Sequence, residues 1–145
     1  MKPDWLRITP PTKEFSNVKN ILKNHNLYTV CQGAHCPNMS ECWSAGIATF
    51  MVMGDTCTRF CRFCQINHGK PLPLDKNEPK NLADAVKKMK LNYVVITSVD
   101  RDDLKDLGSN HIASCIKYLK QNPKIKVETL IPDFQGKINL LKNIT

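Results

Sequence analysis

The chain contains no apolar run approaching the roughly 20 residues that a membrane-spanning helix needs. Its opening, Met1-Lys2-Pro3-Asp4-Trp5-Leu6-Arg7, has neither the apolar centre of a secretory signal nor the pattern of an amphipathic transit peptide. A cytoplasmic protein with no membrane partner is therefore expected. The missing secretory signal also weighs against a disulfide framework, because cytosolic thiols stay reduced. Aromatic residues make up only 7%, and they do not interleave with basic residues as a base-stacking surface requires. The lysines are scattered singly and in pairs, without a dense basic block, so nucleic acid is not an expected partner. No internal repeat occurs, which sets aside solenoid architectures.

What the chain does carry is positive charge and cysteine. The formal net charge is +8, which reads either as a solvated basic surface or as the complement of an acidic protein. Six of the seven cysteines fall into two triplets. The sharper one is Cys57-x3-Cys61-x2-Cys64, and the other is Cys31-x4-Cys36-x5-Cys42. Three thiolates can each hold one iron of a four-iron cube and leave the fourth iron without a cysteine, whereas ferredoxin-type clusters use four. An open coordination position on a metal is where chemistry happens. Structural zinc is the plain alternative, with His35 or His68 as a fourth ligand to either triplet.

Around these arrays the pattern is α/β. Residues 1–13, with three prolines, read as an extended arm anchored by Trp5 and Leu6. Helical spacing of Phe15, Val18, Ile21 and Leu22 predicts a helix over 14–24. The stretch 31–46 reads as a loop with a helical turn at 39–43. Continuous apolar runs predict buried strands at 47–53, 93–99 and 125–131, with helices at about 81–90 and 110–121 and another beginning near Ile138. Prolines mark 67–81 as a connector. Strand–helix alternation gives a parallel sheet of right-handed βα units. The Cys57–Cys64 loop then follows a strand's C-terminal end, the edge that carries active sites in such folds. The Asp100-Arg101-Asp102-Asp103 cluster follows another. Cys115, on an apolar helix face, reads as core. Glu128 reads either as an outward residue of an alternating strand or as a carboxylate inside a barrel that needs a partner.

The array Cys57-x3-Cys61-x2-Cys64, with Phe63 before its last cysteine, resembles the signature of radical S-adenosylmethionine (radical SAM) enzymes. The second triplet narrows the resemblance to the lipoyl synthase family. So do Lys2-Pro3-x-Trp5-Leu6, Cys36-Pro37-Asn38, Ala48-Thr49-Phe50-Met51, Asn77-Glu78-Pro79, the run Tyr93 to Leu104, and Glu128-Thr129-Leu130-Ile131-Pro132-Asp133-Phe134. The likeness runs from end to end of the chain.

That resemblance implies a partial TIM-type (β/α) barrel of the radical SAM type with an N-terminal extension. Residues 1–46 would form the extension with an auxiliary cluster loop, and 47–145 the first part of the barrel domain, about three βα units long. The implied activity is insertion of two sulfur atoms at C6 and C8 of an octanoyl group on a lipoyl carrier domain or a glycine-cleavage H-type protein. The implied cofactors are S-adenosylmethionine and two 4Fe-4S clusters. Cys57, Cys61 and Cys64 would hold the radical-generating cluster, and Cys31, Cys36 and Cys42 an auxiliary cluster consumed as sulfur donor. Phe63, Thr97, Ser98, Asp100 and Glu128 are the candidate S-adenosylmethionine contacts. A ferredoxin or flavodoxin would supply electrons. The family's fourth auxiliary ligand, a serine of a C-terminal motif, is expected beyond Thr145, so the chain reads as the family's N-terminal part. Arg59 and Arg62 either offset the cluster's charge or lie solvated. Leu107 stands where the family commonly has glycine, before Gly108. The alternatives are another radical SAM enzyme with an auxiliary cluster, or a non-enzymatic iron–sulfur or zinc module.

Overall fold

The structure, a computed structural model, describes Pro3 and residues 10–144, so the expected anchoring by Trp5 and Leu6 lies outside the described residues. The first helix, α1 (Lys13–Asn24), starts where the Thr12 hydroxyl accepts the Phe15 N–H and buries Val18, Ile21 and Leu22. A two-residue strand β1 (Tyr28–Thr29) follows, then short helices α2 (Val30–Gly33) and α3 (Met39–Ser44). Next come β2 (Thr49–Val52), β3 (Thr56–Cys57), β4 (Asn67–His68) and α4 (Glu78–Lys88). The chain continues through β5 (Tyr93–Ser98), α5 (Ser109–Leu119) and β6 (Lys126–Leu130), then a 3-10 turn (Phe134–Gly136) and α6 (Ile138–Leu141).

The main sheet has the order β1-β2-β5-β6. β2, β5 and β6 are parallel, with Phe50 opposite Ile96 and Val95 opposite Glu128. β1 pairs antiparallel with β2, so residues ahead of position 47 join the same sheet. Two residues are too few to carry a visible alternation, and sequence pattern does not disclose this strand. The sheet is open, without barrel closure among the described residues.

Boundaries shift for physical reasons. The run from Ile47 to Met53 supplies only a four-residue strand: Ile47 is 59% exposed, and Met53 leaves the strand in the left-handed region at φ 72. Helix α4 begins at Glu78, not near Asn81, because Pro79 sits in its first turn, where a missing N–H breaks no helical bond. Leu107 lies at φ 50, just before Gly108 at φ 84, so a left-handed position that glycine would take freely is held here by a buried leucine.

One sheet face, Phe50, Val52, Val94 and Ile96, is buried in the same core as Leu82, Val86, Ile112, Cys115 and Leu119 of α4 and α5. Right-handed crossovers put both helices on that side. Residues of the other face, Tyr93, Val95 and Thr97 with Lys126, Glu128 and Leu130, are partly or fully exposed. A closed barrel would turn this face inward. Glu128 therefore stands on the would-be inner face, and its carboxylate accepts the Tyr93 hydroxyl, the partner such a placement calls for.

Cys115 is fully buried, and burial drives its thiol well above the ordinary range. Cys115→Ala is expected to lower stability by about 1 kcal/mol through lost packing, measured by denaturant unfolding, while leaving the iron content of reconstituted protein unchanged.

Candidate metal centre

The Cys57–Cys64 loop leaves the sheet through β3, which pairs in parallel with β4 so that Thr56 faces Asn67 and Cys57 faces His68. The Gly69 N–H donates to the Cys57 carbonyl and closes the loop's base. At the other end the loop is fastened to the turn after β5. Thr58 donates to the Asp100 carbonyl through its N–H at 3.1 Å and its hydroxyl at 3.0 Å, and its hydroxyl accepts the Asp102 N–H at 3.1 Å. Cys57 is half-buried, whereas Cys61 and Cys64 are exposed.

The Cys57 sulfur accepts the N–H of Arg59 at 3.4 Å and of Asp100 at 3.3 Å, and its thiol lies 3.7 Å from the Asp100 carboxylate. Burial pushes this thiol up, while the two N–H donors favour the thiolate. Burial likewise raises the Asp100 carboxyl, against the pull of Arg59. Backbone N–H groups aimed at a cysteine sulfur are a recognised lever on cluster thiolates.

Arg59 is neither solvated nor unpaired. Its guanidinium forks onto Asp102 at 2.7 and 2.9 Å and onto Asp133 at 2.9 and 2.9 Å, joining the loop to the chain beyond β5 and β6. Gln135 adds a bond to Asp102 at 3.1 Å. Arg62, by contrast, is exposed. Hydrogen bonds from Arg59 hold the Asp102 carboxyl below its usual range and lower Asp133 to about 2.

In the first triplet Cys31 lies in α2, Cys36 in the following loop and Cys42 in α3, all half-buried. The Cys36 N–H donates to the Cys31 carbonyl at 3.0 Å. The Cys42 thiol is raised by burial and then by repulsion from Cys31 and Cys36. α3 is anchored by Trp43, which is 1% exposed and stacks obliquely on Phe15 with ring centroids 5.1 Å apart. A cavity of about 270 Å³ has Gln32, Gly33 and His35 on one wall and Asp55 and Asn67 on another. Its walls thus come from within the first triplet and from both flanks of the second.

The five candidate cofactor contacts do not all converge. Thr97 and Glu128 share the sheet's open face, and Asp100 meets Cys57. Strand alternation sends Ser98 to the helix side with Val94 and Ile96, where its hydroxyl is buried without a hydrogen-bond partner. Phe63 is 90% exposed on the loop. Sequence reasoning passed over Asp102 and Asp133 as partners of Arg59; the only signal was charge, because these contacts span 43 and 74 residues.

Residues 51–144 match the Radical SAM superfamily. The chain belongs to that superfamily. It is also 53% identical to a lipoyl synthase of Neisseria gonorrhoeae (strain NCCP11945), over 99% of this chain and 44% of the relative. Lipoyl synthases of Pseudomonas fluorescens (strain Pf0-1) and Stutzerimonas stutzeri (strain A1501) are each 51% identical over 99% of this chain, covering 43% and 45% of their lengths. The chain thus spans less than half the length of these curated relatives.

Radical SAM membership implies a 4Fe-4S cluster and S-adenosylmethionine, and the donor set on the second loop fits them. Three thiols stand on one loop, and the one nearest the sheet already receives two N–H donors. Among the described residues only Glu78, His111 and Cys115 bring three metal-capable atoms within 4.8 Å of one another. In that group the Glu78 Oε2 atom lies 2.9 Å from the Met53 nitrogen and 2.6 Å from the His111 ring nitrogen. His68 is engaged by the Phe60 ring, with centroids 4.1 Å apart. Among the described residues no helix is long and apolar enough to cross a membrane.

The Arg59 clamp has a measurable consequence. Because Asp102 and Asp133 are depressed, their ion pairing contributes fully above the ordinary carboxylate value of about 3.9 and is lost as pH falls through the lowered values. In an NMR titration the Asp133 carboxyl should have its midpoint near 2 in the parent chain and return toward the ordinary range in Arg59→Gln. An unchanged midpoint would refute the clamp.

Proposed function

We propose that the chain serves the lipoyl synthase reaction: radical-mediated insertion of sulfur at C6 and C8 of an octanoyl group carried on a lipoyl carrier domain or a glycine-cleavage H-type protein. The observation that carries this reading is that a 51–53% likeness to lipoyl synthases extends over the whole chain, both cysteine triplets included. Cys57, Cys61 and Cys64 hold the radical-generating cluster. Cys31, Cys36 and Cys42 hold a second 4Fe-4S cluster that donates sulfur, a role suggested by three half-buried thiols within one twelve-residue stretch.

When bound, the cluster and S-adenosylmethionine supply a carbon radical able to take hydrogen from an unactivated carbon, chemistry that side chains do not perform. The chain's own residues place and shield it. Arg59 ties the cysteine loop to Asp102 and Asp133, so the loop keeps a fixed distance from the ends of β5 and β6. Phe63, Thr97, Asp100 and Glu128 line the approach to S-adenosylmethionine from the loop and the open sheet face. Ser98 is turned to the helix layer, away from the open face. Water would have to be excluded from the octanoyl site for the radical to survive. An acidic carrier protein and an acidic ferredoxin or flavodoxin suit the basic surface. The reaction runs in the cytoplasm.

Anaerobic reconstitution tests the reading. The chain should turn brown and bind about eight irons, with sulfide in equal amount. Replacing Cys57, Cys61 and Cys64 by Ala should remove about half of the iron and all 5′-deoxyadenosine formation. Replacing Cys31, Cys36 and Cys42 by Ala should spare 5′-deoxyadenosine formation and remove the other half of the iron. Colourless protein containing zinc would sink the proposal. Formation of 5′-deoxyadenosine that ignores the octanoylated peptide would favour another radical SAM enzyme with an auxiliary cluster.

A further inference from the structure

Among the described residues, the buried side chains of unlike charge are Glu78 and Arg101, 4% and 3% exposed. A buried charge is costly unless it is paired and hydrogen-bonded, so its partners indicate why it is there. Both end on the backbone of one residue. The Met53 N–H donates to Glu78 Oε2 at 2.9 Å, and Arg101 Nη1 donates to the Met53 carbonyl at 3.4 Å. Each charge is itself held from behind. His111 Nε2 lies 2.6 Å from the same Glu78 oxygen, and Arg101 forks onto Asp103 at 2.9 and 2.8 Å.

Met53 is an unusual residue to hold this way. It lies at φ 72, a left-handed conformation that is strained for a residue with a side chain. Gly54 follows at φ 98, so two successive left-handed residues turn the chain out of β2. Cys57 comes three residues later. The Met53 side chain is 3% exposed, and its sulfur would stand 2.3 Å from a Cβ built on Gly108. Helix α4, the start of α5 and the turn after β5 therefore all close on this one residue.

We propose that Glu78 and Arg101 are positioning residues that hold Met53 in its left-handed turn and thereby fix where Cys57 stands. Glu78 takes up the N–H that leaves the strand ladder there, and Arg101 takes up the carbonyl. Neither is among the six cysteines of the two triplets. The inference rests on Cys57 being a cluster ligand for its meaning, but the bonds that hold the turn involve no cysteine and are tested on protein prepared without metal, so its failure is separable from failure of the functional proposal.

The test is amide hydrogen exchange of the full metal-free chain, comparing Thr58 in the loop with Leu119 in the core helix. Met53 reports the bond itself, whereas Thr58, bonded to the Asp100 carbonyl, reports the loop. In Glu78→Ala and in Arg101→Met, Thr58 exchange should accelerate at least about tenfold with Leu119 unchanged. Glu78→Gln, which keeps an acceptor for Met53, should restore near-parental protection at Thr58. Unchanged Thr58 exchange in both disrupting variants, with Leu119 still protected, overturns the proposal. If Glu78→Ala exposes Leu119, the decision passes to Arg101→Met, which replaces a buried cation by an apolar chain of similar length. If both variants expose Leu119, the pair supports the whole fold and not the loop, and the proposal fails. Stoichiometric zinc in the parent chain, lost in His111→Ala, would make Glu78 a metal ligand and also overturn it.

Discussion

The parallel pairing of β2 with β5 is the constraint on which the rest depends. Its register sets Val52 beside Ser98 and is continued by the Val99 N–H reaching the Val52 carbonyl at 3.4 Å. Two strand ends then open at the same edge, and the segments leaving them must share one space. Cys57 and Asp100 meet there although 43 residues separate them. A slip of β2 by one residue would turn Phe50 and Val52 out of the core and break the loop's bonds to Asp100 together. Core burial and site geometry are therefore enforced by the same pairing.

The charged run after β5 shows how the edge is divided. Asp100 and Asp102 face the cysteine loop through Cys57, Thr58 and Arg59. Arg101 and Asp103 pair with each other, and Arg101 turns inward to the end of β2. Four consecutive charged residues thus serve two tasks in alternation, half building the loop's seat and half the turn that delivers the loop. Charge that looks like solvated surface in one dimension is mostly consumed by partners in three.

How much of this was legible in the sequence depends on the range of the interaction. Periodic apolar runs disclosed β2, β5, β6, α1 and α5 because burial of one face writes itself locally. The Cys57–Cys64 array disclosed the Radical SAM superfamily for the same reason: its three cysteines lie within eight consecutive residues. Pro79 concealed the true start of α4, since a proline reads as a breaker unless its place in the first turn is known. The left-handed Met53 and Leu107 were hidden, because no property of methionine or leucine announces positive φ. The Arg59 clamp to Asp133 spans 74 residues, and nothing local marks it. Ser98 looked like a neighbour of Thr97 in sequence, yet strand alternation divides them between the two faces.

The central claim is that Cys57, Cys61 and Cys64 hold a cluster with one iron left open for S-adenosylmethionine. Mössbauer spectroscopy on protein reconstituted with isotopically enriched iron, in a variant whose Cys31, Cys36 and Cys42 are alanine, tests it most directly. Addition of S-adenosylmethionine should change the parameters of about a quarter of the iron, the share of one site in a four-iron cluster. A spectrum that contains a four-iron cluster yet does not respond to S-adenosylmethionine, or that contains no such cluster, would contradict the account.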